Sequence, residues 1–202
     1  MKTILLIRHA ETDLAGTFCG HSDPNLNEKG RDQVATMLRH LESISIGAIY
    51  ASDLLRAQAT AQALAAQRRL QIRPQAALRE IYFGQWEGLT WTQVEARDRA
   101  FAARWVESFP DLPAPGGEAM VHFKHRVFAA IHNIAEELNT SPMEQVAVVT
   151  HAGVLRLILQ RLYSVKPEAA WERSSKYCSV MRLPLPDVMI AGSRPYLSGE
   201  SV

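Results

Sequence analysis

Lys2-Thr3-Ile4-Leu5-Leu6-Ile7 runs without a break into Arg8-His9-Ala10-Glu11-Thr12. Short, branched and apolar, the first six residues read as a strand buried on both faces, and such strands belong to parallel sheets covered by helices. A second stretch, Gln145-Val146-Ala147-Val148-Val149-Thr150, has the same character and runs into His151-Ala152-Gly153. Sheets of this kind place ligands at the carboxyl ends of their strands. Both histidines therefore fall on that rim.

Working outward, Gly16, Gly20, Asp23, Pro24 and Asn25 mark a loop, and Asn25 or Asn27 caps a helix to about Leu41. Ala48–Ala51 is a further strand, after which Ser52-Asp53 reads as the cap of an alanine-rich helix over Leu54–Arg69. Leu70–Arg73 is a third strand, followed by Leu78-Arg79-Glu80-Ile81 and a loop marked by Gly84 and Gly88. Pro110, Pro113, Pro115, Gly116 and Gly117 form the clearest internal break. Helical spacing returns in Val127, Ala130, Ile131, Ile134 and Leu138, and again from His151 to about Tyr163. Ser179–Leu183 and Val188–Ala191 read as late strands or an edge hairpin, and 192–202 as a loose tail. Strands alternating with helices predict one α/β domain over 1–202 with a mostly parallel sheet.

Lysine and arginine number 22 against 21 aspartates and glutamates. No net field draws the chain to nucleic acid or anionic lipid, so anion affinity has to come from a local cluster. The apolar run at Ile4–Ile7 is too short to span a membrane, and the N-terminus lacks a signal-peptide pattern, so the cytoplasm is expected. Cys19 and Cys178 stand far apart without a ligand motif, which predicts two reduced thiols and no metal site.

Taken alone, either histidine is more often a surface or core residue. Two at strand ends, with Arg8 beside the first, point to a reacting centre. Arginine's planar fork matches phosphate oxygens, and Arg56 adds a second guanidinium from a helix N-terminus, itself favourable to anions. The chemistry these residues suit is phosphoryl transfer.

Arg8-His9-Ala10-Glu11-Thr12, Ser52-Asp53-Leu54-Leu55-Arg56-Ala57, Leu78-Arg79-Glu80, Phe83-Gly84-Gln85-Trp86-Glu87-Gly88, Pro115-Gly116-Gly117-Glu118 and His151-Ala152-Gly153 occur in this order. In that order they resemble the histidine phosphatase superfamily, the phosphoglycerate-mutase-like proteins, over about residues 2–165. The resemblance implies a three-layer α/β/α sandwich around a mostly parallel sheet with one antiparallel edge strand. It implies that His9 is the nucleophile, phosphorylated on one ring nitrogen while the other donates to a backbone carbonyl. Arg8, Arg56 and His151 would hold the phosphoryl oxygens and Glu80 would protonate the leaving oxygen, with no metal and no cofactor.

Departures from the family pattern are local. Ala10 and Ala152 stand where glycine is usual, a small increase in size beside backbone that approaches the phosphate; Ala152 remains a candidate phosphate-binding position. The loop after Thr12 is about two residues shorter and lacks the usual asparagine and arginine, leaving either the Thr17 hydroxyl or the loop backbone as the candidate ligand there. Ile81-Tyr82-Phe83-Gly84-Gln85-Trp86-Glu87-Gly88 replaces the longer basic insertion of the mutases and resembles the phosphatase branch, including the alpha-ribazole phosphatases. The expected activity is hydrolysis of a small-molecule phosphomonoester. Its alternatives are a cofactor-dependent phosphoglycerate mutase or a non-catalytic phospho-ligand binder.

A cap is expected at about 88–118, where Trp91, Phe101, Trp105 and Phe109 either pack on one another or face the cleft and favour a ring-shaped leaving group. His122, Lys124, His125 and Arg126 read as a solvated basic face. Monomer and homodimer both remain open.

Overall fold

The computed structural model describes residues 1–192. Five strands, β1 (Thr3–Arg8), β2 (Ala48–Ala51), β3 (Ile72–Pro74), β4 (Gln145–Thr150) and β5 (Val180–Pro184), form one sheet in the order β3-β2-β4-β1-β5. All neighbours are parallel except β5, which runs antiparallel to β1 at the edge. The expected α/β architecture is the one observed.

Side chains alternate across the pleat, and each face has its own helices. Ile4, Leu6, Tyr50, Val146 and Val148 pack against α5 (Met120–Thr140), α6 (Ala152–Tyr163) and α8 (Leu185–Gly192). Leu5, Ile7, Ile49, Ala147 and Val149 pack against α1 (Glu28–Leu41) and α2 (Leu55–Arg68). In α2 the alanines Ala57, Ala61 and Ala65 let the helix lie close to the sheet. Ile4 to Ile7 are wholly buried, so truncating any one to alanine would cost about 2–5 kcal/mol.

Two expectations are corrected. Val188–Ala191 is not a strand: it belongs to α8, packed on α5. An apolar run this short has no period that separates helix from strand. Ser52-Asp53 does not cap α2 either. The N-cap residue is Leu54, without a side-chain bond, and the Leu55 amide donates to Asp23 Oδ1 at 2.6 Å. Asp53 is drawn instead into a paired ion bridge with Arg79, at 2.7 and 2.6 Å. Asn27 does cap α1, its Oδ1 accepting from the Gly30 amide.

Between the third strand and α5 lie α3 (Trp91–Arg97) and α4 (Arg99–Glu107). Gly84, at φ +53°, lies against the Pro115-Gly116-Gly117 backbone: a Cβ there would meet the Pro115 carbonyl oxygen at 2.3 Å. Gln85 N to Pro115 O and Glu118 N to Tyr82 O close this contact. After α6 the chain forms α7 (Pro167–Ser175), which the sequence reading passed over. The tail expected at 192–202 lies outside the described residues beyond Gly192.

Candidate active site

β1 and β4 are neighbours in register, Arg8 opposite Thr150, so the residues that follow them meet at the sheet's rim. The His9 amide donates to the Thr150 carbonyl at 2.8 Å, and the His9 and His151 rings lie 5.0 Å apart. His9 Nδ1 is 2.7 Å from the Ala10 carbonyl, while Arg56 Nε donates to His9 Nε2 at 3.2 Å. A guanidinium N–H only donates, so Nε2 carries the lone pair and Nδ1 the proton. Burial, then the charges of Arg56 and Arg8, hold His9 well below the usual 6.5, against the opposing bond to Ala10. The ring is thus neutral, with a nucleophilic nitrogen aimed at a guanidinium.

Arg56, from the first turn of α2, is fully buried. Besides His9 it donates through Nη1 to Ser22 O at 2.6 Å and through Nη2 to Cys19 O at 3.2 Å and Gly20 O at 2.7 Å. The carboxylate of Glu87 holds the same loop from its amide side. It accepts from Gly20 N, His21 N, Ser22 N and Ser22 Oγ at 2.6–3.1 Å, and from Phe83 N at 3.0 Å. One cation on the carbonyls and one anion on the amides fix the loop that carries Arg56's acceptors. Burial alone would raise the Glu87 pKa, but these hydrogen bonds outweigh it and keep it below the ordinary value.

Glu80, almost wholly buried, sits on the start of α6, with Oε2 accepting from the Gly153 amide at 2.8 Å and Oε1 from the Ile81 amide at 2.9 Å. Only glycine permits this, since a Cβ at 153 would stand 2.0 Å from Oε1. The acid segment is pinned by Thr150 Oγ1 on the Leu78 carbonyl and by Arg126. That guanidinium donates to the carbonyls of Ala77, Arg79 and Glu80 while pairing with Glu118. Arg126 is therefore a buttress and not part of the solvated face expected of it, although His122, Lys124 and His125 are exposed.

His151 Nε2 and Ser52 Oγ lie 2.8 Å apart, both side chains fully buried, and His151 Nδ1 has no protein partner. Ser52 Oγ already accepts from the Leu54 amide, and His151 Nε2 is the acceptor within reach of its proton. If Ser52 donates to Nε2, the His151 proton sits on Nδ1. Burial, then Arg56, depresses the His151 pKa as well. Arg8 donates through Nη1 to the carbonyls of Ser174 and Ser175, lies over the Tyr177 ring at 3.9 Å, and keeps a buried Nε without a partner. Of the five expected site residues, Arg56 and His151 thus lie directly against His9, Arg8 shares the Tyr177 ring with it, and Glu80 reaches the amide two residues after His151.

The sequence matches the histidine phosphatase superfamily (branch 1) over residues 4–188. The chain belongs to that family. It is 30% identical over 168 residues to the adenosylcobalamin/alpha-ribazole phosphatase of Escherichia coli K12, covering 82% of this chain and 81% of that one. A phosphoserine phosphatase 1 of Hydrogenobacter thermophilus is 29% identical, covering 85% and 81%. In structure the chain is similar to the alpha-ribazole phosphatase of Shigella flexneri, with a TM-score of 0.78, 26% identity and 89% of each chain covered.

Several residues of this histidine phosphatase were not singled out from its sequence. Ser52 and Glu87 stood inside quoted motifs, but their partners lie 99 and about 66 residues away, so only the fold reveals their roles. Tyr177, whose ring is 5.8 Å from that of His9, comes from a segment without any pattern. The Thr17 hydroxyl donates to the Leu14 carbonyl at 2.8 Å and closes a turn. Trp91, Phe101 and Trp105 pack with Phe18, Phe83 and Trp86 into a small core of their own, and exposed Phe109 lies against Trp105. Packing, the plainer of the two expectations, accounts for them. Among the described residues no three His, Cys, Asp or Glu side chains gather as they would to hold a metal ion, and no helix is long and apolar enough to cross a membrane.

Proposed function

We propose that the protein hydrolyses small-molecule phosphomonoesters through a phosphohistidine on His9 Nε2. The observation that carries this reading is the neutral, buried His9 with its proton fixed on Nδ1 by Ala10 and its lone pair directed toward Arg56. On substrate binding the Arg56 Nε–H passes from Nε2 to a phosphoryl oxygen and frees the lone pair. Nε2 then attacks phosphorus, and the bond to the leaving oxygen breaks as Glu80, in its acid form, gives that oxygen its proton. Water attacks next. Glu80 takes the proton from it, the P–N bond breaks, and inorganic phosphate leaves.

Arg8, Arg56, His151 and the Ala152 amide at the start of α6 hold the phosphoryl oxygens, a preorganised positive site for charge that spreads over them during transfer. Thr17 has no part in the reading, its hydroxyl being used in the turn. The chain acts as one unit, with residues 88–118 as its cap and the cytoplasm, suited to two unpaired thiols, as its setting.

The decisive assay offers wild type and His9→Ala an activated aryl phosphate with chelator present, then alpha-ribazole phosphate and 3-phosphoglycerate. The expected result is phosphate release by wild type, lost by about 10³-fold or more in the variant. Isomerisation of 3-phosphoglycerate faster than phosphate release would identify a mutase. Undiminished turnover in His9→Ala would remove the mechanism.

A further inference from the structure

Arg156 is a cation that the reaction above does not use. It lies on α6 three residues after Gly153 and four after Ala152, so it shares their helix face. Its Nε donates to the Ala152 carbonyl at 3.3 Å, and its Cζ lies 4.0 Å from the centre of the Trp171 ring. Trp171 belongs to α7, whose last residues supply the carbonyls that hold Arg8, and the Tyr177 ring beneath Arg8 comes from the turn just after that helix. Two guanidiniums thus each lie over an aromatic ring of one segment, contacts that help to fix their direction.

Neither terminal nitrogen of Arg156 has a hydrogen-bond partner among the described residues, and the group is half-buried. Glu80 does not pair with it: the two Glu80 oxygens are taken by the Gly153 and Ile81 amides. The charges still interact. Burial lowers the pKa of both Arg8 and Arg156, Arg156 lowers that of Arg8 further, and Glu80 opposes the shift in each.

Glu80 marks the side of the site from which the leaving oxygen departs, and Arg156 stands on the helix face that carries Glu80. We propose that Arg156 is the recognition group for a carboxylate on the leaving group, so that the preferred substrates are phosphomonoesters of hydroxy acids. This rests on the phosphatase reading. A planar carboxylate matches the two unpartnered nitrogens of one guanidinium, whereas a second phosphate would bring more charge than this single cation neutralises.

The pair 3-phosphoglycerate and glycerol 1-phosphate tests it, since they differ only in a carboxylate against a hydroxymethyl group. Wild type should favour the acid by about tenfold or more in kcat/KM, mainly through KM, the scale of one charge-assisted fork. Arg156→Gln should bring the ratio near one, and Arg156→Lys, which keeps charge but not the fork and guards against a folding defect, should fall between. A wild-type ratio near one, or equal losses on both substrates in Arg156→Gln, overturns the assignment. If wild type releases phosphate from neither of these nor from an aryl phosphate, the phosphatase reading itself fails and the subsite falls with it.

Discussion

His9 and His151 show how far a neighbour decides what an imidazole does. The ring of His9 has its tautomer set by two partners of fixed polarity, the Ala10 carbonyl and the Arg56 guanidinium. His151 has one, Ser52, whose hydroxyl either gives or takes. A bare lone pair on Nδ1 would repel phosphoryl oxygens, whereas an N–H would bind them, so Ser52 is expected to donate. In protein with ¹⁵N-labelled histidine, His151 should show a protonated Nδ1 and a hydrogen-bonded, unprotonated Nε2. Ser52→Ala should mix the tautomers and slow phosphorylation by about 10–100-fold, as loss of a partner that orients a histidine does elsewhere. A protonated Nε2 in wild type would refute this.

At the level of elements, the start of α6 is the working surface, and Gly153 is its narrowest point. Gly153→Ala would make a better helix residue, yet its Cβ would fall 2.0 Å from Glu80 Oε1 and push the acid off its amide. Alkyl phosphates, whose leaving oxygen needs a proton, should lose about 10²-fold, and 4-nitrophenyl phosphate much less. Equal losses on both would mean that Glu80 does not supply the proton.

The same elements show what the sequence made legible. β1, β2 and β4 were readable because their residues are buried on both faces and leave no polar alternation to mislead. The histidines that follow β1 and β4 were placed directly by this reading. The role of Asp53 did not, because a distant Arg79 outbid the local helix start. α7 carries no apolar stripe, its burial being confined to Ala170 and Ser174, so the wall it gives to Arg8 was invisible. Only tertiary contact gives that segment its meaning.

For the molecule as a whole, the site depends on the segment around Glu87 and the sheet rim being locked together. Glu87 follows Trp86, which sits in the small aromatic core with Trp91 and Trp105, and its carboxylate holds the 20–22 amides whose neighbouring carbonyls bind Arg56. Glu87→Gln replaces one accepting oxygen with a donor and should cost about 1–3 kcal/mol. Urea unfolding should show that loss together with reduced activity. A carboxyl held below its usual 4.5 stabilises the fold above that pH and ceases to as pH falls through its folded value. The acid loss of stability should therefore be smaller in the variant, and an unchanged unfolding midpoint would detach Glu87 from the site's support.

The central claim is covalent. Wild-type protein mixed rapidly with a phosphomonoester and quenched in base should carry one acid-labile phosphoryl group, which mass spectrometry places on His9 and ³¹P NMR on its Nε2. His9→Asn should carry none. Steady hydrolysis by wild type with His9 unlabelled, or with label on another residue, would contradict the account.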